Sequence, residues 1–147
     1  METDTLDLID QIHENARFQK HTLAALIRES EDGSFRNALA EQFASCHDML
    51  RETREHLKTE NAEAAKRKKP TSGIGDISAR IALQVNLRID NTPSHMAEMV
   101  MQASLSNIVE IAAGMRIFAG AEEAATALAR KFIEQERENI GRMIDYL

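Results

Sequence analysis

Apolar residues recur along this chain at intervals of three and four, and four long stretches hold that helical period. The first, about residues 5–30, places Ile9, Ile12, Ala16, Leu23, Leu26 and Ile27 on one side of a helix. Asp4 is positioned to cap it, and Asp7 and Asp10 suit the positive end of its dipole. "SEDGS" (residues 30–34) then breaks the pattern, and so short a break predicts an antiparallel neighbour. The second stretch, about residues 35–66, carries Phe35, Leu39, Phe43, Cys46, Leu50, Thr53 and Leu57. "KRKKP" (residues 66–70) closes it, because cations complement the negative end of a helix and Pro70 cannot continue one. A basic patch for phosphate or nucleic acid is the weaker reading of so short a run.

The connection that follows, residues 67–92, is predicted to hold a short helix over residues 77–89. Its Ile77, Ile81 and Val85 share one face, which needs cover from the bundle. "DNTPSH" is the next start signal, with Thr92 as cap and Pro93 at the first helical position. The third long stretch, about residues 93–118, is apolar nearly all round. Met96, Val100, Ile108, Ile111 and Met115 lie on one side, with Met101, Leu105 and Ala112 on the other. Such a helix must be covered on more than one face, by the connection or by another subunit. "AGAEEA" turns the chain into the last stretch, about residues 122–147, with Phe132, Ile140, Met143 and Leu147 on its buried face. The pattern predicts an all-α, single-domain four-helix bundle over residues 1–147, two antiparallel hairpins joined by a crossover. A crossover of that length lets the second and third helices run parallel, as in ferritin-like bundles.

Composition narrows the class. The 147 residues, 43% apolar and 29% charged, match one globular domain with a real core. A net charge of -6 argues against nucleic acid or an anionic membrane as partner of the whole surface. A lone Cys46 rules out an intrachain disulfide framework and suits a reducing compartment. "METDTLDLID" lacks the basic and apolar runs of a signal peptide, and no run approaches the ~18 apolar residues of a membrane span. The expectation is a cytoplasmic protein with no membrane partner.

"TPSHMAEMVMQAS", opening the third helix, and "EQERENIGRMIDYL", closing the fourth, resemble a family of bacterial ferritin-like four-helix-bundle proteins of unassigned activity. The layout of hairpin, crossover and hairpin is similar over essentially the whole chain. That resemblance implies a fold and no chemistry.

Ferritin-like di-iron proteins hold metal with a Glu on each of two helices and Glu-x-x-His on each of the other two. Carboxylates bridge two hard cations while imidazoles complete each one. No Glu-x-x-His occurs in this chain. "RETREHL" comes nearest, but Glu52 and Glu55 project away from the apolar stripe and His56 lies at its edge. Glu14, Glu98 and Glu134 fall on polar faces. His13 and His47 flank their stripes, His21 is on the surface and His95 sits in a first turn. Cys46 reads as a small buried hydrophobe, and Met96, Met99, Met101 and Met115 as fillers of an irregular core or interface. No cofactor is implied.

One residue breaks the fourth helix's apolar face. Glu136 sits in the middle of it, and a buried carboxylate needs a partner. With a rise of about 1.5 Å per residue and the ferritin-like arrangement, its level falls near Lys20, residues 46–48, Ser104 and Asn107. Glu136 is therefore expected to accept hydrogen bonds in a buried polar layer, with Lys20, Ser104, Asn107 and His47 as available donors. The competing reading is a single-metal site built from Glu136 with His47. The preferred function is non-enzymatic, a bundle acting through self-association or protein partners, most simply as a homodimer through the third helix. Its rival is a metal-binding or oxidoreductase bundle with an unconventional carboxylate/His site.

Overall fold

The computed structural model describes residues 2–60 and 90–147. Four helices account for nearly all of them: α1 (Glu2–Glu29), α2 (Gly33–Glu60), α3 (Pro93–Ile117) and α4 (Glu123–Ile144). There is no strand among the described residues. The short helix expected over residues 77–89 and the basic run at 66–70 lie outside them.

Local chemistry sets the helix ends. Asp32 starts α2 by accepting from the Phe35 N–H at 2.8 Å. Thr92 starts α3 by accepting from the His95 N–H at 3.3 Å, with Pro93 fixing φ in the first turn. Asp4 has a different role from the cap expected of it. Because α1 already begins at Glu2, the Asp4 carboxylate accepts instead from the Gly120 N–H at 2.8 Å. Beside it, the Thr5 hydroxyl accepts from the Glu122 N–H at 2.9 Å. Both satisfy N–H groups that the turn into α4 leaves without helical partners, so α1 holds the α3–α4 turn closed.

Side-chain bonds fix the direction of each helix. His13 meets Thr53 at 2.8 Å and Lys20 meets His47 at 3.0 Å, so α2 runs antiparallel to α1. Gln11 bonds the Glu110 carbonyl at 3.3 Å and Gln19 bonds Ser104 at 3.4 Å, so α3 is antiparallel to α1 as well. Lys131 pairs with Glu52 at 2.6 Å and Arg142 with Glu41 at 3.3 Å, which sets α4 antiparallel to α2. It follows that α2 and α3 run one way, α1 and α4 the other.

Each helix buries a seam whose members alternate three and four residues apart, the spacing of knobs-into-holes packing. On α3 the seam is Ala97, Val100, Ser104, Asn107, Ile111 and Gly114; on α4 it includes Phe132, Glu136, Asn139 and Met143. A side chain at Gly114 would displace the Gln11 amide, which packs there against the bare α3 backbone. Ile140 is half-buried rather than central, because Asn139 occupies the inward position. Leu147, expected on the buried face, is 61% exposed because α4 ends three residues earlier, at Ile144. Phe18 is half-buried.

The core falls into two apolar clusters. One gathers Ile9, Ile12, Met49, Ile111 and Phe132. The other gathers Leu23, Phe35, Leu39, Met96 and Met143, with Tyr146 edge-on to Phe35 at 5.0 Å. What lies between them is polar.

Candidate functional site

Each helix contributes to the level between the clusters: Gln19 from α1, Cys46 from α2, Ser104 and Asn107 from α3, Glu136 and Asn139 from α4. Every one of these residues is at most 6% exposed. Glu136 is the common acceptor. Its Oε2 accepts from the Asn107 side-chain amide at 3.2 Å and its Oε1 from the Asn139 amide at 3.0 Å. Ser104 also bonds the carboxyl group, and Gln19 donates to the Ser104 hydroxyl at 3.4 Å.

Two charged residues at the rim determine which way these amides point. Arg142 can only donate, and it donates to the Asn139 Oδ1 at 3.2 Å, so Asn139 must turn its NH2 group toward Glu136. Glu110 Oε2 accepts from the Asn15 NH2 at 2.7 Å. That NH2 group also donates to the Asn107 Oδ1 at 3.2 Å, which turns the Asn107 NH2 inward. The chain therefore runs from Arg142 through Asn139, and from Asn15 through Asn107, and both branches end on Glu136. Neither amide can reverse without breaking its outer bond. Burial nevertheless dominates the titration and raises the Glu136 pKa above the ordinary carboxylate range, with the bonds from Asn107, Ser104 and Asn139 opposing the shift. Burial likewise pushes the Cys46 thiol well up; Glu136 adds to that shift and Lys20 opposes it. A thiol so placed stays protonated and is a poor nucleophile.

Of the four residues expected in the layer, Ser104, Asn107 and Glu136 come together. Lys20 is half-buried at the rim, with its ammonium bonded to His47 Nδ1 at 3.0 Å and 5.3 Å from the Phe43 ring centre. His47 is exposed, and its Nδ1 faces Lys20 while both Glu136 oxygens are bonded inside. The described residues contain no group of three or more His, Cys, Asp or Glu placed to hold a metal ion. Chemically, the layer binds one carboxyl group and fixes its orientation.

Polar residues that keep the phase of an apolar seam are invisible to its apolar pattern, among them Gln19, Gln42 and Asn139. Gln42 lies on the α2 seam between Leu39 and Cys46, fully buried, and both its amide atoms lack a partner among the described residues. An unpaired buried amide costs about 1–3 kcal/mol, and methionine fills a similar shape without that cost. Gln42→Met should therefore raise the melting temperature. An unchanged or lower one would mean that the Gln42 amide is hydrogen-bonded in solution.

Compared with protein-family models, with curated proteins and with solved structures, the chain finds no match.

Proposed function

We propose that this chain is a ferritin-like bundle that works by association, forming a homodimer through α3, and not by turning over a substrate. The observation carrying this reading is the outward face of α3, where Leu105 and Val109 are 55% and 59% exposed at successive turns. Apolar side chains that adjoin on a helix surface and face water offer a partner area whose burial removes it from water. The parallel course of α2 and α3 supports the ferritin-like arrangement, in which a long connection joins the hairpins. The polar layer supports a structural role for Glu136, whose oxygens are already taken by two amides.

Light scattering at tens of micromolar should give about twice the 16.5 kDa chain mass. A single helix face buries an area at the low end for stable complexes, so the mass should fall toward the monomer on dilution. A monomer mass at every concentration overturns the reading. So does stoichiometric iron or manganese in protein purified without added metal, which would place a metal centre in the bundle.

A further inference from the structure

The outward stripe of α3 has an order that self-association alone does not require. Glu98, Gln102, Leu105, Val109, Ala112 and Arg116 succeed one another at intervals of four, three, four, three and four, nearly opposite the buried seam of the same helix. All face outward, Ala112 half-buried and the rest exposed. The spacing reads the same in both directions, and its centre is position 107. Turning a second copy about a two-fold axis at that level sets Leu105 opposite Val109, Gln102 opposite Ala112 and Glu98 opposite Arg116, each pair occurring twice. Apolar residues then meet at the middle and opposite charges at both ends. A parallel pairing in register would instead set Glu98 against Glu98 and Arg116 against Arg116. Neither residue has an ion-pair partner among the described residues of its own chain.

We infer that α3 is the antiparallel dimerisation helix of this protein, with a second copy of the chain as its occupant and reciprocal Glu98–Arg116 pairs setting the register. The inference rests on the proposed homodimer and adds its geometry. Charge fixes orientation here more than it adds affinity, since exposed pairs are worth little each and the central Leu105 and Val109 carry the burial.

The test is sedimentation equilibrium of the full chain, comparing wild type with E98R, R116E, E98R/R116E and L105D. Each single reversal places like charges together twice in the dimer and should weaken dimerisation about tenfold. The double reversal restores both pairs and should return the dissociation constant to within about threefold of wild type. L105D should leave a monomer with unchanged helical circular dichroism, since Leu105 is exposed in the single chain. If L105D abolishes the dimer but the double reversal does no better than the singles, the antiparallel register is overturned while association through α3 stands. Single reversals without effect mean the same. If L105D leaves the dimer intact, the helix is wrong. A wild-type monomer overturns the homodimer itself.

Discussion

Glu136→Leu should destabilise the folded chain by about 3 kcal/mol, and adding Asn107→Ala and Asn139→Ala should recover most of that loss. Both asparagines aim their NH2 groups at the carboxyl oxygens, and their outer bonds to Asn15 and Arg142 hold them in that orientation. A leucine in place of Glu136 strands two buried donors, each worth about 1–3 kcal/mol when left without an acceptor. Better apolar burial and the loss of a buried acid offset part of this. Removing the two amides as well leaves only the Ser104 hydroxyl short of an acceptor, and leucine with two alanines occupies nearly the volume of the original trio. Replacing a whole polar cluster with packed apolar groups is often neutral or better, whereas breaking one member of it is not. Urea denaturation of wild type, the single and the triple variant decides the matter. A triple variant less stable than the single would show that the asparagines hold the bundle by some means other than serving Glu136.

The polar layer separates the Phe132 cluster from the Phe35 cluster, and this position suggests its value. Apolar seams of similar size can slide past one another by a turn at modest cost. A carboxyl group that must meet donors from α3 and α4 at one level penalises every such slip.

Sequence periodicity made the helices, their order and the two turns legible because each depends on local signals: Asp32, Thr92, Pro93 and the breaks at 30–34 and 119–124. The level of the polar layer was legible too, since a helix rises by a fixed step and Glu136 could be projected onto Ser104 and Asn107. Direction around the axis was harder. One residue turns a helix by 100°, so Lys20 had the right height but pointed to the rim, and Gln19 took the inward place. The signal that would have found Gln19 is present in the sequence: Ile12, Ala16, Leu23 and Leu26 leave a gap at position 19 in a run of threes and fours. Gln42 fills the same gap between Leu39 and Cys46, beside the more apolar Phe43. A stripe defined by apolar residues alone cannot show polar residues that keep its phase. Glu136 was visible only because residues around it were strongly apolar. Nothing local could reveal the Asn15 and Arg142 bonds that orient the layer, since both depend on how the helices turn toward one another.

Asn107→Ala should cost stability in a way that depends on pH, and the sign follows from Glu136. Burial holds the folded pKa of this carboxyl above its unfolded value. A group of that kind contributes fully below the unfolded pKa, and its contribution is lost as pH rises through the folded one. Removing the Asn107 donor takes away a bond that favours the ionised form, so the folded pKa should rise further and the loss should extend over a wider range. At low pH, with Glu136 protonated, the variant gives up one neutral hydrogen bond, worth about 1 kcal/mol. As pH rises and the carboxyl ionises, the cost should grow toward about 3 kcal/mol, the value for a hydrogen bond to a charged group. Glu136→Gln removes the titrating group, so in that background the cost of Asn107→Ala should be flat with pH. Urea denaturation of these variants, from acid pH up to the highest pH at which the wild type stays folded, gives the comparison. Equal losses for Asn107→Ala at both ends of that range would mean that Asn107 fills space beside Glu136 without solvating its charge.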